Sequence, residues 1–205
     1  MMKIKIVSGK RADFVPQSKQ SKTMLVVESK RKNLEKLKEK YPDAMFVDVT
    51  SHGEEPFVQF SPFYPLGGIP IPFSGNRTSA SVEGIWQALK VFEDADVDIM
   101  MCGIRDMKNI KRTTRKFGDC LGHRKGVNGT ELLDYIEARK LIYLPSYKWA
   151  LDNKLQDLVT ALRVISKNKT VVLLDYETNA DVNDPSKPLS HAALIKAYIE
   201  GNYPE

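Results

Sequence analysis

Glu83, Trp86, Gln87 and Lys90 stand at i, i+3, i+4 and i+7 in SASVEGIWQALKVFE, residues 79–93. On a helix that spacing puts a carboxyl, an indole, an amide and an amine on one stripe. Such a stripe can floor a pocket in which an acid works beside a flat ring and a cation. A plainer reading stays open. A glutamate in a first helical turn is favoured by the macrodipole alone, and Trp86 can be ordinary core.

Two other stretches carry residues of the same kind. In KTVVLLDYETNADVNDPSKPLSH, residues 169–191, an apolar run ends at Asp175, and Glu177, Asp181 and Asp184 follow. Carboxylates just past the end of a buried strand are where sites are built on many α/β scaffolds. Ser190 is placed to cap a last helix over 190–200, with His191 beside it. Residues 105–125 hold eight Lys/Arg against two Asp/Glu, with Arg112, Arg115, His123 and Arg124 among glycines at 118, 122, 126 and 129. Glycine-loop amides with Arg and Lys side chains are good phosphate hosts. The alternative is a solvated basic helix and a connecting loop. Tyr143, Tyr147 and Trp149 can stack on a base, or be core.

These groups need elements to position them. Five of the eleven prolines, at 56, 62, 65, 70 and 72, lie ahead of the central helix with Gly67, Gly68 and Gly75, which makes an ordered loop. Ser79 or Ser81 caps the helix, and Ile85, Ala88, Leu89 and Phe92 form its inner face. Upstream, residues 3–7 and 24–27 read as short edge strands. Residues 30–41 read as a basic helix with Leu34, Leu37 and Tyr41 inward, and 44–50 as a strand. Downstream, 131–140 reads as one helix, with Leu132, Leu133, Ile136 and Ala138 inward. The chain turns at Pro145 and a second helix runs to about Ser166. VVLLDY is the strongest strand, apolar enough to be covered on both faces.

The chain of 205 residues carries a net charge of +5, and residues 3–40 hold twelve Lys/Arg against four Asp/Glu. That excess favours phosphate-bearing partners, a nucleotide or a nucleic acid, although no zinc-finger or RNA-recognition signature is present. No G-x-G-x-x-G or P-loop follows a strand. Asp94, Asp96 and Asp98 lack the spacing and glycine of a calcium loop, and Cys102 and Cys120 have no metal-ligand spacing. No metal and no cofactor are expected. No apolar run is long enough to span a bilayer, and the opening MMKIKIVSGK has no h-region, so the expected place is the cytoplasm, with no membrane partner.

The central stretch resembles the NADAR superfamily, the YbiA-like proteins, through Phe60-Ser61-Pro62-Phe63 and then Ser81, Glu83, Gln87, Lys90 and Phe92. The order near the C-terminus is similar: a strand ending in Asp175, then Asp181, then a turn into the last helix. Val182-Asn183 stands where the family has a tryptophan-glycine pair, and Pro188-Leu189-Ser190-His191 where it has glycine-asparagine. The resemblance implies an α+β fold in one compact domain, mainly helical with a small sheet. Residues 53–205 would form the YbiA-like core and residues 1–52 a β-α-β extension packed on it, with a soft boundary near 51–56. It also implies N-glycosidic cleavage of a nucleotide-like or ADP-ribosylated small molecule. Glu83 would be the leading carboxylate and Asp181 or Asp175 its partner. Ser61, Phe63, Trp86, Gln87, Lys90, Tyr147, Ser190 and His191 would line the substrate, and Arg112, Arg115, His123 and Arg124 would form a cationic rim. Two other readings remain: a non-catalytic ADP-ribose or nucleotide-binding module, and a basic nucleic-acid-binding protein.

Overall fold

The structure, a computed structural model, describes residues 23–204; the strand expected at 3–7 lies outside them. The fold is α+β. Its main sheet joins β1 (Leu25–Ser29), β2 (Met45–Asp48) and β8 (Val171–Asp175), in the order β1-β8-β2 with both pairings parallel. The strand last in sequence is therefore central, and the N-terminal β-α-β unit shares its sheet rather than standing beside it. All five residues of β8 are buried. Val171 and Leu173 face the large core, whereas Val172 and Leu174 pack with Leu37 under α1 (Leu34–Lys40). That two-sided cover is what so apolar a run requires.

Helix α1 is capped by Asn33, whose Oδ1 accepts from the Lys36 N–H at 3.1 Å. Of its expected inner face, Leu37 is buried and Leu34 is exposed, because only one narrow stripe of a two-turn helix reaches the sheet. Between the parallel strands the chain forms the hairpin β3 (Ile69–Pro70) and β4 (Thr78–Ser79), then α2 (Val82–Ala88). A second, antiparallel sheet follows, built of β5 (Lys90–Phe92), β6 (Cys120–Arg124) and β7 (Leu132–Leu133). The expected continuation of α2 through Phe92 is thus corrected. The helix stops at Leu89, whose carbonyl accepts from Arg124 N–H at 2.8 Å, and Lys90 pairs with His123. Short helix α3 (Thr114–Phe117) is all that forms of the basic helix.

The helix expected over 131–140 begins instead at Tyr135, after β7, with Leu132 exposed. Asp134 caps it, and Glu137 returns the bond to the Asp134 N–H, closing a capping box that sets the start. From α4 (Tyr135–Ala138) the chain passes through a π turn (Arg139–Tyr143) into α5 (Leu144–Asn153) without leaving helix. Pro145 does not turn the backbone, because the widened turn accommodates its ring and missing N–H. Helices α6 (Gln156–Ser166) and α7 (His191–Glu200) complete the core against the sheet.

Candidate active site

Parallel register brings Ser29, Asp48 and Asp175 to the same edge of the sheet. Beyond that edge opens a cleft of about 510 Å³, the position where parallel strands commonly host ligands. Arg31, Thr50, Ser51, Tyr176 and Glu177 reach it from the strand ends, and α2 forms the opposite wall with Glu83, Trp86 and Gln87.

The α2 wall is held from three sides. Ser81 Oγ accepts from the Gly84 N–H at 3.0 Å, so of the two candidate caps Ser81 is the one used. A side chain at Gly84 would meet Met101 O at 2.9 Å and Ser79 Oγ at 2.8 Å, which lets α2 lie close against the 99–103 turn. The proline loop is stapled on by its backbone: Pro62 O accepts from the Glu83 N–H at 2.8 Å, and Phe60 O accepts from Tyr147 Oη at 2.8 Å.

Glu83 is buried, and its Oε1 accepts from Gln87 Nε2 at 2.7 Å. Gln87 is oriented in turn, because its Oε1 accepts from the Arg112 N–H at 3.0 Å. Burial pushes the Glu83 carboxyl above the ordinary range. The Gln87 bond and the charges of Lys90, Lys111 and His191 pull the other way without cancelling it. Glu83 Oε2 takes no hydrogen bond among the described residues. A carboxyl tuned upward, with one oxygen held and the other free, can act as a proton donor and, once ionised, as an acceptor.

Asp175 does different work. Its Oδ1 accepts from the Tyr176 N–H at 2.7 Å. Its Oδ2 accepts from Ser190 Oγ at 2.8 Å and the Ala192 N–H at 3.3 Å, and it faces His191 Nδ1 at 3.0 Å. His191 Nε2 lies 2.8 Å from Val49 O, which can only accept, so Nε2 carries a proton. Nδ1 faces an engaged carboxylate and carries one too. Burial opposes the charge on both partners, yet each charge sustains the other: Asp175 is held below the ordinary carboxylate range and His191 above the ordinary imidazole range. The pair sets an imidazolium on the cleft wall, and Asp175 is its anchor rather than a free base.

Aromatic rings complete the walls. Trp86 lies edge-on to Tyr135 and Tyr143, with centroids at 5.9 and 5.7 Å. Lys111 stands over Phe63 with Nζ 5.4 Å from the ring centroid. Lys90 lines the cleft at the head of β5.

Of the residues expected from sequence, Glu83, Asp175, Trp86, Gln87, Lys90, Ser61, Phe63, Arg112 and His191 meet at this cleft. Six others lie outside its lining. Asp181 is exposed and closes its own turn, accepting from the Asn183 N–H at 2.8 Å, as aspartates in loops often do. It is therefore not the partner of Glu83. Arg115 points into solvent from α3. Arg124 is engaged by Asp96 and by the Thr130 carbonyl. Tyr147 is core, and Ser190 is the buried cap of α7. His123 lies behind Trp86 with ring centroids 3.9 Å apart, and neither of its nitrogens has a partner among the described residues. Burial, helped by Lys90, pushes its imidazole down to about 3, so it is neutral.

Even Arg112, though it borders the cleft, turns its guanidinium inward to the carbonyls of Gln87, Lys90 and Asp96. Arg139 acts likewise on the carbonyls of Val182, Asp184 and Lys187, and so holds that loop in place. Among the described residues, the lysines lining the cleft, Lys90 and Lys111, have no carboxylate partner. Arg31, Thr50 and Tyr135 were reachable from sequence only by asking which residues follow parallel strands or sit one helical turn from Arg139, whereas Tyr143, expected either to stack on a base or to be core, lines the cleft. Among the described residues no group of three or more His, Cys, Asp and Glu side chains is arranged to hold a metal ion.

No curated protein and no solved structure matches this chain. Residues 29–195, which span everything from the end of β1 to the first turn of α7 and so include every wall of the cleft, match a "Family of unknown function (DUF6939)", and the chain belongs to that family.

Proposed function

We propose that the protein hydrolyses the N-glycosidic bond of a nucleotide-like or ADP-ribosylated small molecule. The observation that carries this reading is the buried Glu83, its carboxyl raised by desolvation and opening on a cleft with aromatic walls and lysines that have no carboxylate partner among the described residues. Glu83 as an acid protonates the departing base. As the resulting carboxylate it steadies the oxocarbenium-like sugar and then takes a proton from the attacking water, which restores the acid. Trp86 and Tyr143 offer faces for a flat base. Lys111 and the His191 imidazolium offer positive charge to a phosphate. The resemblance of residues 60–92 to NADAR proteins supports the same reaction, and the two unpaired cysteines fit a cytoplasmic setting.

The test is base release from a purine nucleoside monophosphate and from ADP-ribosylated nucleic acid, followed chromatographically with wild type and Glu83→Gln. Release by the wild type that is lost in the variant is the expected result. An equally active Glu83→Gln protein, or no release from either compound, overturns the proposal.

One observation favours a second reading, a binding module without catalysis: Asp175 is fully engaged and Asp181 lies elsewhere. The cleft carboxylate Glu177 is paired with Arg31, so Glu83 has no unpaired carboxylate partner among the described residues. Calorimetric binding of ADP-ribose with no base release from any tested compound would select it. Nucleic-acid binding has less support, since Arg112 and Arg124 are engaged internally; it predicts affinity for unmodified DNA or RNA that falls steeply with salt.

A further inference from the structure

We infer that Lys90 is a carbonyl-capturing amine, which adds to the open-chain aldehyde of a pentose phosphate and holds it as a Schiff base in the cleft. The inference starts from the company Lys90 keeps. Lys30, Lys32, Lys38, Lys40, Lys125 and Lys196 each meet a carboxylate. Lys90 is half-buried on the wall of the cleft, with no carboxylate partner and no side-chain hydrogen bond among the described residues. Its backbone is pinned: it pairs with His123 across the sheet, and its carbonyl accepts from Arg112 Nη1 at 2.8 Å. The root of the side chain is thus anchored, and no carboxylate pairs with its amine among the described residues.

Its surroundings favour the neutral, nucleophilic form. Burial is the main influence and lowers its affinity for a proton. The charges of Lys111 and Arg112 act in the same sense, while Glu83 and Cys120 oppose them. A desolvated lysine beside other cations is the environment in which amines attack carbonyls at neutral pH. The acid needed to complete the reaction, Glu83, lines the same cleft and lies near enough to interact electrostatically with the amine.

The step balances without any further reagent. Neutral Lys90 Nζ adds to the aldehyde carbon, and a proton passes from nitrogen to oxygen to give a carbinolamine. Glu83 donates a proton to the departing hydroxyl, which leaves as water, and a protonated imine remains beside the Glu83 carboxylate. Hydrolysis runs the same steps backward and restores both residues. The choice of sugar rests on the proposed glycosidic cleavage: a sugar freed of its base is a hemiacetal, which opens to an aldehyde at the carbon that carried the base. The reactivity of the amine does not depend on that cleavage.

The experiment is reductive trapping. Full-length protein is incubated with ribose 5-phosphate and sodium cyanoborohydride, and adducts are located by intact mass and peptide mapping. Labelling at Lys90 at least about tenfold faster than at the exposed Lys167, lost in Lys90→Arg and Lys90→Gln and slowed in Glu83→Gln, is the expected result. Labelling spread over surface lysines with no preference for Lys90 overturns the inference. So does a Lys90→Gln protein that is labelled as fast as the wild type. Mapping of the wild-type adduct decides the matter even if a variant fails to fold. Base release by a protein that shows no Lys90 adduct keeps the hydrolase and removes this inference; a Lys90 adduct without base release does the reverse.

Discussion

Glu28 and Glu83 both keep less than a tenth of their surface exposed, 4% and 8%, yet they titrate in opposite directions. Glu83 lies deeper in the protein, whereas Glu28 is covered mainly by exposed lysines. Burial alone would raise both. At Glu28 that effect is overcome by hydrogen bonds from Lys32 at 2.5 Å, Lys40 at 2.7 Å and Tyr41 at 2.7 Å, which hold the carboxyl at about 2. Glu83 has one neutral amide within bonding distance, and its nearest cations act only through space, without a hydrogen bond. Desolvation therefore wins at Glu83 and loses at Glu28. A buried acid saturated with donors is an anchor for β1 and α1. A buried acid left short of them gives up its proton less readily, at a cost in stability that the rest of the fold must bear.

The largest expected effect breaks the comparison on the reactive side. Glu83→Gln should lower base release by about 10²- to 10⁴-fold while leaving the fold intact. Because the folded-state pKa of Glu83 is raised, the wild type loses stability as pH climbs from 4.5 through that raised value, and glutamine does not ionise. The melting temperature of the variant should therefore gain on the wild type with rising pH in parallel calorimetric scans. A variant that melts well below the wild type at every pH would make Glu83 a structural residue like Glu28.

Asp175→Asn comes next. It leaves the His191 imidazolium buried without its counter-charge, which should cost about 3–5 kcal/mol by urea denaturation. A loss under 1 kcal/mol would mean that the pair is not charged. Glu28→Gln should be milder, at about 2 kcal/mol for weakened charge-assisted hydrogen bonds, and should leave base release unchanged. The lowered pKa of Glu28 means that its contribution is full above 4.5 and is lost as pH falls toward 2. The variant and wild type should accordingly converge in stability as the medium is acidified.

The smallest effect sharpens the comparison. Gln87→Leu removes the one hydrogen bond that holds the Glu83 pKa down. If Glu83 acts as an acid, activity falls as pH rises through its pKa, and in this variant the fall should move to higher pH. A pH–rate profile that stays in place would show that Glu83 does not set it.

Much of the local structure was legible beforehand, for reasons that particular residues make plain. Ser81 precedes a helical apolar stripe, VVLL at 171–174 has nothing polar for either face, and Pro42 follows a helical pattern; each signal acts over a few residues. The fate of the charged residues was not legible. Arg112, Arg115 and Arg124 look alike within one basic stretch, yet one turns inward to three carbonyls, one faces solvent and one meets Asp96. Asp175 and Asp181 both follow the buried strand, and only the packing of α7 separates them. The helix through Pro145 escaped because a single residue's breaking tendency gave way to a π turn.

The chain by itself determined that Glu83, Trp86 and Gln87 share a helical stripe and that β8 is covered on both faces, because periodicities of 3.6 and 2 are written in neighbouring residues. Only the tertiary structure decided which acid keeps its proton. Gln87 is oriented by a backbone N–H 25 residues away, and His191 by a carbonyl 142 residues away. A pKa depends on water removed and partners brought close, and both are set when distant segments pack.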